Sequence, residues 1–174
     1  RYVGGMGIQG KRISRGPKNL ETEETSEIGL IGDLNDIKIL YTNADGLINK
    51  RHELYALLNS MENKPHIIAI TEVKGKIIKN LVMLSELNLE GYQCFCLGLE
   101  DSAARGVLIY VDDRLKADLV DIPTTFKECL FVKIHYSNNA NFLLGNIYRS
   151  PSSVDKNDED LCKLIKYVAK QYLP

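Results

Sequence analysis

At 174 residues, with 44% hydrophobic and 26% charged side chains, the chain has the composition of one globular domain of ordinary size, which excludes a mainly disordered or collagen-like protein. The 22 basic residues nearly balance 23 acidic ones, so no dominant basic field exists and any nucleic-acid contact falls to a local patch. No apolar run approaches the ~18–20 residues of a membrane span, and no apolar segment follows the glycine-rich, basic N-terminus as a signal peptide requires.

The sequence opens on Arg1, not Met, and reads as a piece of a longer chain. Residues 1–20 carry Arg1, Lys11, Arg12, Arg15 and Lys18 and no acid, whereas residues 21–36 carry Glu21, Glu23, Glu24, Glu27, Asp33 and Asp36 and no base. Such charge blocks without apolar periodicity predict a mobile, charged tail over 1–36, with the folded unit spanning 37–174. Ile37 to Thr42 reads as a strand, broken by Asn43-Ala44-Asp45-Gly46. Between Asn49 and Met61, Leu54, Leu58 and Met61 recur on one helical face with Leu57 beside them, and Asn49 is the expected cap. After Pro65, His66 to Thr71 is almost wholly apolar, as suits a strand covered on both faces. The order strand, helix, strand favours parallel pairing of the two strands.

From Tyr92 the pattern changes to short strands: Tyr92–Cys96, Gly106–Val111, Lys116–Ile122, Cys129–His135 and Asn141–Tyr148. Turn residues separate them, which predicts an antiparallel meander. A final helix is expected over Lys156–Leu173, its apolar face formed by Leu161, Leu164, Ile165, Val168, Ala169 and Tyr172. Cys94, Cys96, Cys129 and Cys162 form no C-x-x-C pair and sit in apolar stretches, so they read as buried free thiols, not zinc ligands.

Asn43 and Glu72 share one situation: each follows an apolar strand, and the two strands are expected to be neighbours. Ligand crevices of open α/β sheets form at such carboxyl ends, where a carboxamide and a carboxylate supply oxygen donors for a hard cation.

At these positions the chain resembles the endonuclease/exonuclease/phosphatase superfamily, in particular the endonuclease domain of non-LTR, LINE-like (jockey-type) retrotransposons. Ile39 to Leu47 is similar to the family's first motif, a strand ending in Asn, and Ile68 to Lys74 to its metal-binding Glu motif. Gly91-Tyr92 and Arg105 to Val111 resemble its middle strands, and Gly145 to Pro151 the motif with the active-site Tyr. Four motifs in order make the likeness specific. It implies an α+β fold: part of a sandwich of two packed mixed sheets flanked by helices, truncated after its first half. It further implies hydrolysis of DNA phosphodiesters with Mg²⁺ or Mn²⁺. Glu72 would hold the metal, Asn43 would orient metal, phosphate or water, Tyr148 would hydrogen-bond a phosphate oxygen, and Arg149 would add charge near the DNA backbone. A C-terminal reverse transcriptase in the full polyprotein and a nuclear location also follow from the resemblance, with no membrane partner.

The departures are equally specific. The family continues with Gly-Asp-x-Asn and Ser-Asp-His motifs; here neither follows Tyr148, and His52, His66 and His135 are preceded by Arg51, Pro65 and Ile134. The fragment is therefore expected to be inactive by itself. Gly32-Asp33-Leu34-Asn35 spells the missing motif, but it precedes the first one and reads as a turn. The alternative is a non-catalytic remnant or binding module of the same fold. A third reading keeps the superfamily but changes the substrate to a phospholipid, an inositol phosphate or poly(A). Asn43 and Glu72 are common to all of these, and the wording around Glu72 and Tyr148 favours retroelements.

Overall fold

The computed structural model describes residues 11–13, 36–75, 84–101, 103–137 and 140–172. The strands are β1 (Lys11–Ile13), β2 (Ile39–Asn43), β3 (Ile67–Thr71), β4 (Tyr92–Leu97), β5 (Val107–Asp112), β6 (Lys116–Val120), β7 (Cys129–His135) and β8 (Asn141–Ile147). The helices are α1 (Arg51–Ser60), entered through a 3-10 turn at Leu47–Lys50, and α2 (Asp155–Tyr172). Among the described residues no helix is long and apolar enough to cross a membrane.

Two sheets form. The first is mixed, with spatial order β1-β4-β5-β3-β2, and the second is antiparallel, β6-β7-β8. β2 and β3 pair in parallel with Asn43 opposite Thr71, as the strand–helix–strand order predicts. The expected meander is corrected in one respect. β4 and β5 belong to the first sheet and only β6, β7 and β8 to the second, because the chain changes sheets at the Asp112–Leu115 turn.

The architecture is α1, first sheet, second sheet, α2. Alternation along β3 and β5 divides their side chains between two cores. Ile68, Ile70, Leu108 and Tyr110 face α1, where Leu58 is buried and Leu54 packs beside it. Ile67, Ala69, Val107 and Ile109 face the second sheet and meet Leu130, Val132 and Ile134. β3 is buried along its whole length, which explains its nearly unbroken apolar run. On the outer face of the second sheet Cys129 and Phe131 receive Leu164 of α2, with Leu161 and Val168 beside it. This is an α+β sandwich, the predicted fold class.

Several local expectations are corrected. Regular structure does not begin at Ile37: Lys11–Ile13 pairs antiparallel with Cys94–Cys96, because the outer edge of β4 offers a ladder to any extended segment within reach. The other residues of 1–35, including Gly32-Asp33-Leu34-Asn35, lie outside the described residues. Asn49 does not cap α1; it sits inside the 3-10 turn, and Lys50 stands at the cap position. Leu57, Ile165 and Tyr172 are exposed, so the buried stripes of both helices are narrower than their apolar residues. Cys162 is exposed too, while the other three cysteines are buried.

A candidate active site at the carboxyl end of the first sheet

Beyond Asn43 and Thr71 the ladder continues through irregular backbone. Amides of Ala44, Gly46 and Leu47 donate to the carbonyls of Thr71, Glu72 and Val73, at 3.0, 2.8 and 2.9 Å. On the opposite flank Val73 and Lys74 donate to the carbonyls of Gly106 and Arg105, at 3.2 and 2.8 Å. The segment after β3 is thus laced between the turns that follow β2 and precede β5.

Two residues in this lacing have unusual backbone. Asp45 (φ 43°) and Glu72 (φ 55°) are the only non-glycine residues with positive φ among the described residues. Each such conformation costs roughly 1–3 kcal/mol and persists only when its surroundings impose it. The Asn43 Oδ1 atom accepts the Asp45 amide at 3.1 Å and so turns the chain. Gly46 follows at φ 100°, where a Cβ would press on the Gly75 backbone at 3.2 Å, so only glycine fits.

Both left-handed residues deliver a carboxylate to one atom. Arg105 Nη2 lies 2.6 Å from Asp45 Oδ1 and 2.5 Å from Glu72 Oε2. The guanidinium is held from behind as well: Nε donates to the Lys74 carbonyl at 2.8 Å. The Arg105 amide donates to Glu128 Oε1 at 2.7 Å, and the Gly106 amide to the same oxygen at 3.2 Å. Burial pushes the Glu128 carboxyl above the usual range despite these bonds. Arg105 and Glu72 side chains are only 15% and 11% exposed, whereas Asp45 is 58% exposed. The cluster is therefore open on the Asp45 side.

The second sheet closes the other side. The Tyr148 amide donates to the Glu128 carbonyl at 2.8 Å. The buried Tyr148 side chain lies beside Glu72, and burial first, then this carboxylate, push its hydroxyl up to about 12. It thus remains a donor at neutral pH. Asn146, buried one turn of the pleat away, donates from Nδ2 to the carbonyls of Ile70 and Leu108, both at 2.9 Å, and ties β8 to the first sheet beneath Glu72. The Lys74 amine donates to the carbonyls of Leu99, at 3.4 Å, and Asp101; burial lowers its pKa.

Of the sequence-predicted residues, Glu72 and Tyr148 are brought into contact, and Asn43 ends the neighbouring strand with its carboxamide turned to the Asp45 amide. Arg149 is exposed and bound to Asp158 of α2 through Nε and Nη2, at 2.9 and 2.7 Å. Arg105, Asp45, Glu128 and Asn146 are the additions. Arg105 and Asp45 lie inside the family-like motifs without an expected role, and the strand register is the signal that finds them. Thr71 opposite Val107 sets Glu72 beside Gly106 and Arg105.

The fold has a known counterpart. Superposition on solved structures matches the endonuclease domain of TRAS1, a telomere-specific non-LTR retrotransposon, with a TM-score of 0.51 and 17% identity over 78% of this chain. The likeness is one of fold. The chain spans 53% of the length of that domain, about half of it. No protein-family model matches the chain, and no curated protein matches it.

The oxygen donors of Glu72 and Asp45 are of the hard type that Mg²⁺ prefers, and both already converge on a cationic atom. No group of three or more His, Cys, Asp or Glu side chains suited to a metal converges among the described residues. Mg²⁺ commonly takes one or two carboxylates and keeps several waters, which is compatible with so small a donor set.

Proposed function

We propose that this chain is the N-terminal half of a DNA endonuclease domain of the non-LTR retrotransposon type, folded over 37–174, to which the charged N-terminal segment contributes the edge strand Lys11–Ile13. The observation that carries the reading is the meeting of Glu72, at the end of β3, with Tyr148, at the end of β8, in a fold shared with such a domain. Bound at Glu72, Mg²⁺ or Mn²⁺ would polarise a phosphoryl oxygen of DNA and favour the attacking hydroxide. Tyr148, protonated at neutral pH, donates a hydrogen bond to a non-bridging phosphate oxygen. Asn43 holds the turn that carries Asp45, and so shapes the rim of the site. Arg149 sits on the surface beside α2, where it supplies positive charge to the DNA backbone.

Proton transfer and placement of the attacking water fall to Asp-x-Asn and Asp-His pairs that this sequence does not carry after Tyr148. The reading therefore separates two experiments. The 174-residue chain by itself is expected to leave supercoiled plasmid intact with Mg²⁺. A longer chain that includes those motifs is expected to nick it, and Glu72→Ala to remove the nicking. Nicking by the longer chain that survives Glu72→Ala would exclude this site. In the full polyprotein the domain would precede a reverse transcriptase and act in the nucleus.

A further inference from the structure

Arg105 and its two carboxylates are not held alike. The Arg105 main chain is anchored through its amide on the Glu128 carboxylate, and the guanidinium through Nε on the Lys74 carbonyl. The carboxylates then gather on one terminal nitrogen, Nη2, each from a left-handed residue. Arg105 thus occupies the centre of the oxygen set as a positive charge that cannot be lost by deprotonation. Two carboxylates and one guanidinium sum to −1, so a cation approaching Glu72 meets half the charge the acids alone would offer.

Resting on the reading of Glu72 as the metal ligand, we propose that Arg105 is a resident cation that competes with the divalent metal for Glu72 and thereby sets the metal affinity of the site. Without metal, Arg105 keeps Glu72 from being a buried, unpaired charge. With metal, the ion shares or takes the oxygen that Arg105 now holds. A guanidinium that merely braced Glu72 for the ion would have the opposite effect, since its removal would weaken binding.

The sign of that effect is the test. Mn²⁺ is titrated into the 174-residue chain and free Mn²⁺ is read by electron paramagnetic resonance, with thermal melts as a second readout. Arg105→Gln is expected to bind Mn²⁺ about tenfold more tightly than the wild type, the scale on which groups behind metal ligands act. Its unfolding temperature then rises more on Mn²⁺ addition than that of the wild type, because tighter binding to the folded state stabilises it more. Arg105→Lys, a point charge without the fork, falls between the two. Equal or weaker Mn²⁺ binding by Arg105→Gln overturns the inference, as does binding by neither protein. If Arg105→Gln does not fold, Arg105→Lys takes its place in the same comparison with the wild type. Glu72→Gln separates this inference from the reading beneath it. Unchanged Mn²⁺ binding in Glu72→Gln removes the metal ligand itself. Binding lost in Glu72→Gln but not tightened in Arg105→Gln leaves Glu72 in place and removes only the competition.

Discussion

The two ends of the first sheet carry the same kinds of residue and use them differently. At the carboxyl end of β2 and β3, Arg105 meets acids 33 and 60 residues away in sequence, in a largely buried cluster on left-handed backbone. At the amino end, Arg114 meets Asp112 two residues away, Nη2 to Oδ2 at 2.7 Å, and the arginine lies in solvent. The Arg114 pair closes a turn. Burial alone would raise the Asp112 carboxyl, but hydrogen bonds from Arg114 outweigh it and hold it below its usual value. The Arg105 cluster is built from three separate segments and a second sheet, and it gathers more charge than a turn needs. A fold that keeps two strained acids on one buried arginine is spending stability on a site.

The largest expected difference between the ends is chemical. In a chain extended through the missing motifs, Glu72→Ala should lower Mg²⁺-dependent nicking by several orders of magnitude, the scale of a metal's Lewis-acid contribution. Arg114→Ala in the same background should leave the rate within about twofold. Plasmid nicking rates measure both, and an equal loss from both changes would erase the contrast between the ends.

The next difference is in stability. Arg105→Met leaves Glu72 as a buried carboxylate without its cation, and breaking a buried pair from one side costs about 3–5 kcal/mol. Arg114→Ala removes a partner that lies in solvent and leaves Asp112 the residue 114 amide, so it should cost only about 1 kcal/mol. Urea denaturation of the two variants tests the ordering, which fails if Arg105→Met costs no more than Arg114→Ala. Asn146→Ala comes between them. It withdraws a donor from two buried carbonyls, at about 1–3 kcal/mol. A cost below that of Arg114→Ala would mean that the link between the sheets contributes nothing beneath the site.

The sequence made one end more legible than the other. Asn43, Glu72 and Tyr148 each end a strand inside a recognisable motif, and the parallel pairing of β2 with β3 followed from the element order. The sandwich was implied by the family likeness, and strand periodicity located β7 to the residue. What periodicity could not supply was the division of strands between sheets, because short alternating strands look alike whether the chain stays in one sheet or crosses to another. The inner face of the sandwich is hidden from the sequence for the same reason. Ile68 and Ile70 would join Ile39, Val107 and Ile109 if apolarity alone decided, yet they face α1. Ile39 itself is half exposed, because β8 lies against β3 and β5 and leaves the edge strand β2 uncovered. Arg105 escaped notice because its role is set by register with β3, a long-range property, while Arg149 drew attention by standing next to Tyr148. In extended backbone successive side chains point to opposite faces, so the immediate neighbour of a functional residue turns away from its site.

The smallest expected effect belongs to the amino end and depends on pH. His66 precedes β3, and its Nδ1 accepts the Lys38 amide at 2.9 Å, which requires that nitrogen to be unprotonated. Its pKa is lowered from 6.5, first by burial, against the raising effect of Asp112 and with help from Arg114 and Lys38. The unfolded chain therefore binds a proton there more readily than the folded one. The stability that neutral His66 contributes is fully present above pH 6.5 and is lost as pH falls through that value toward the lower folded pKa. His66→Gln keeps an acceptor for the Lys38 amide and does not titrate. Between about pH 7.5 and pH 5.5, where an ordinary histidine changes charge, the wild type should lose more stability than His66→Gln. Urea midpoints across that range measure the difference, and all other titrating groups are common to the two proteins. Parallel curves would show that His66 has the same proton affinity folded and unfolded. The amino end would then be only a closed turn, insensitive to pH, and the contrast with the charged cluster at the other end would be complete.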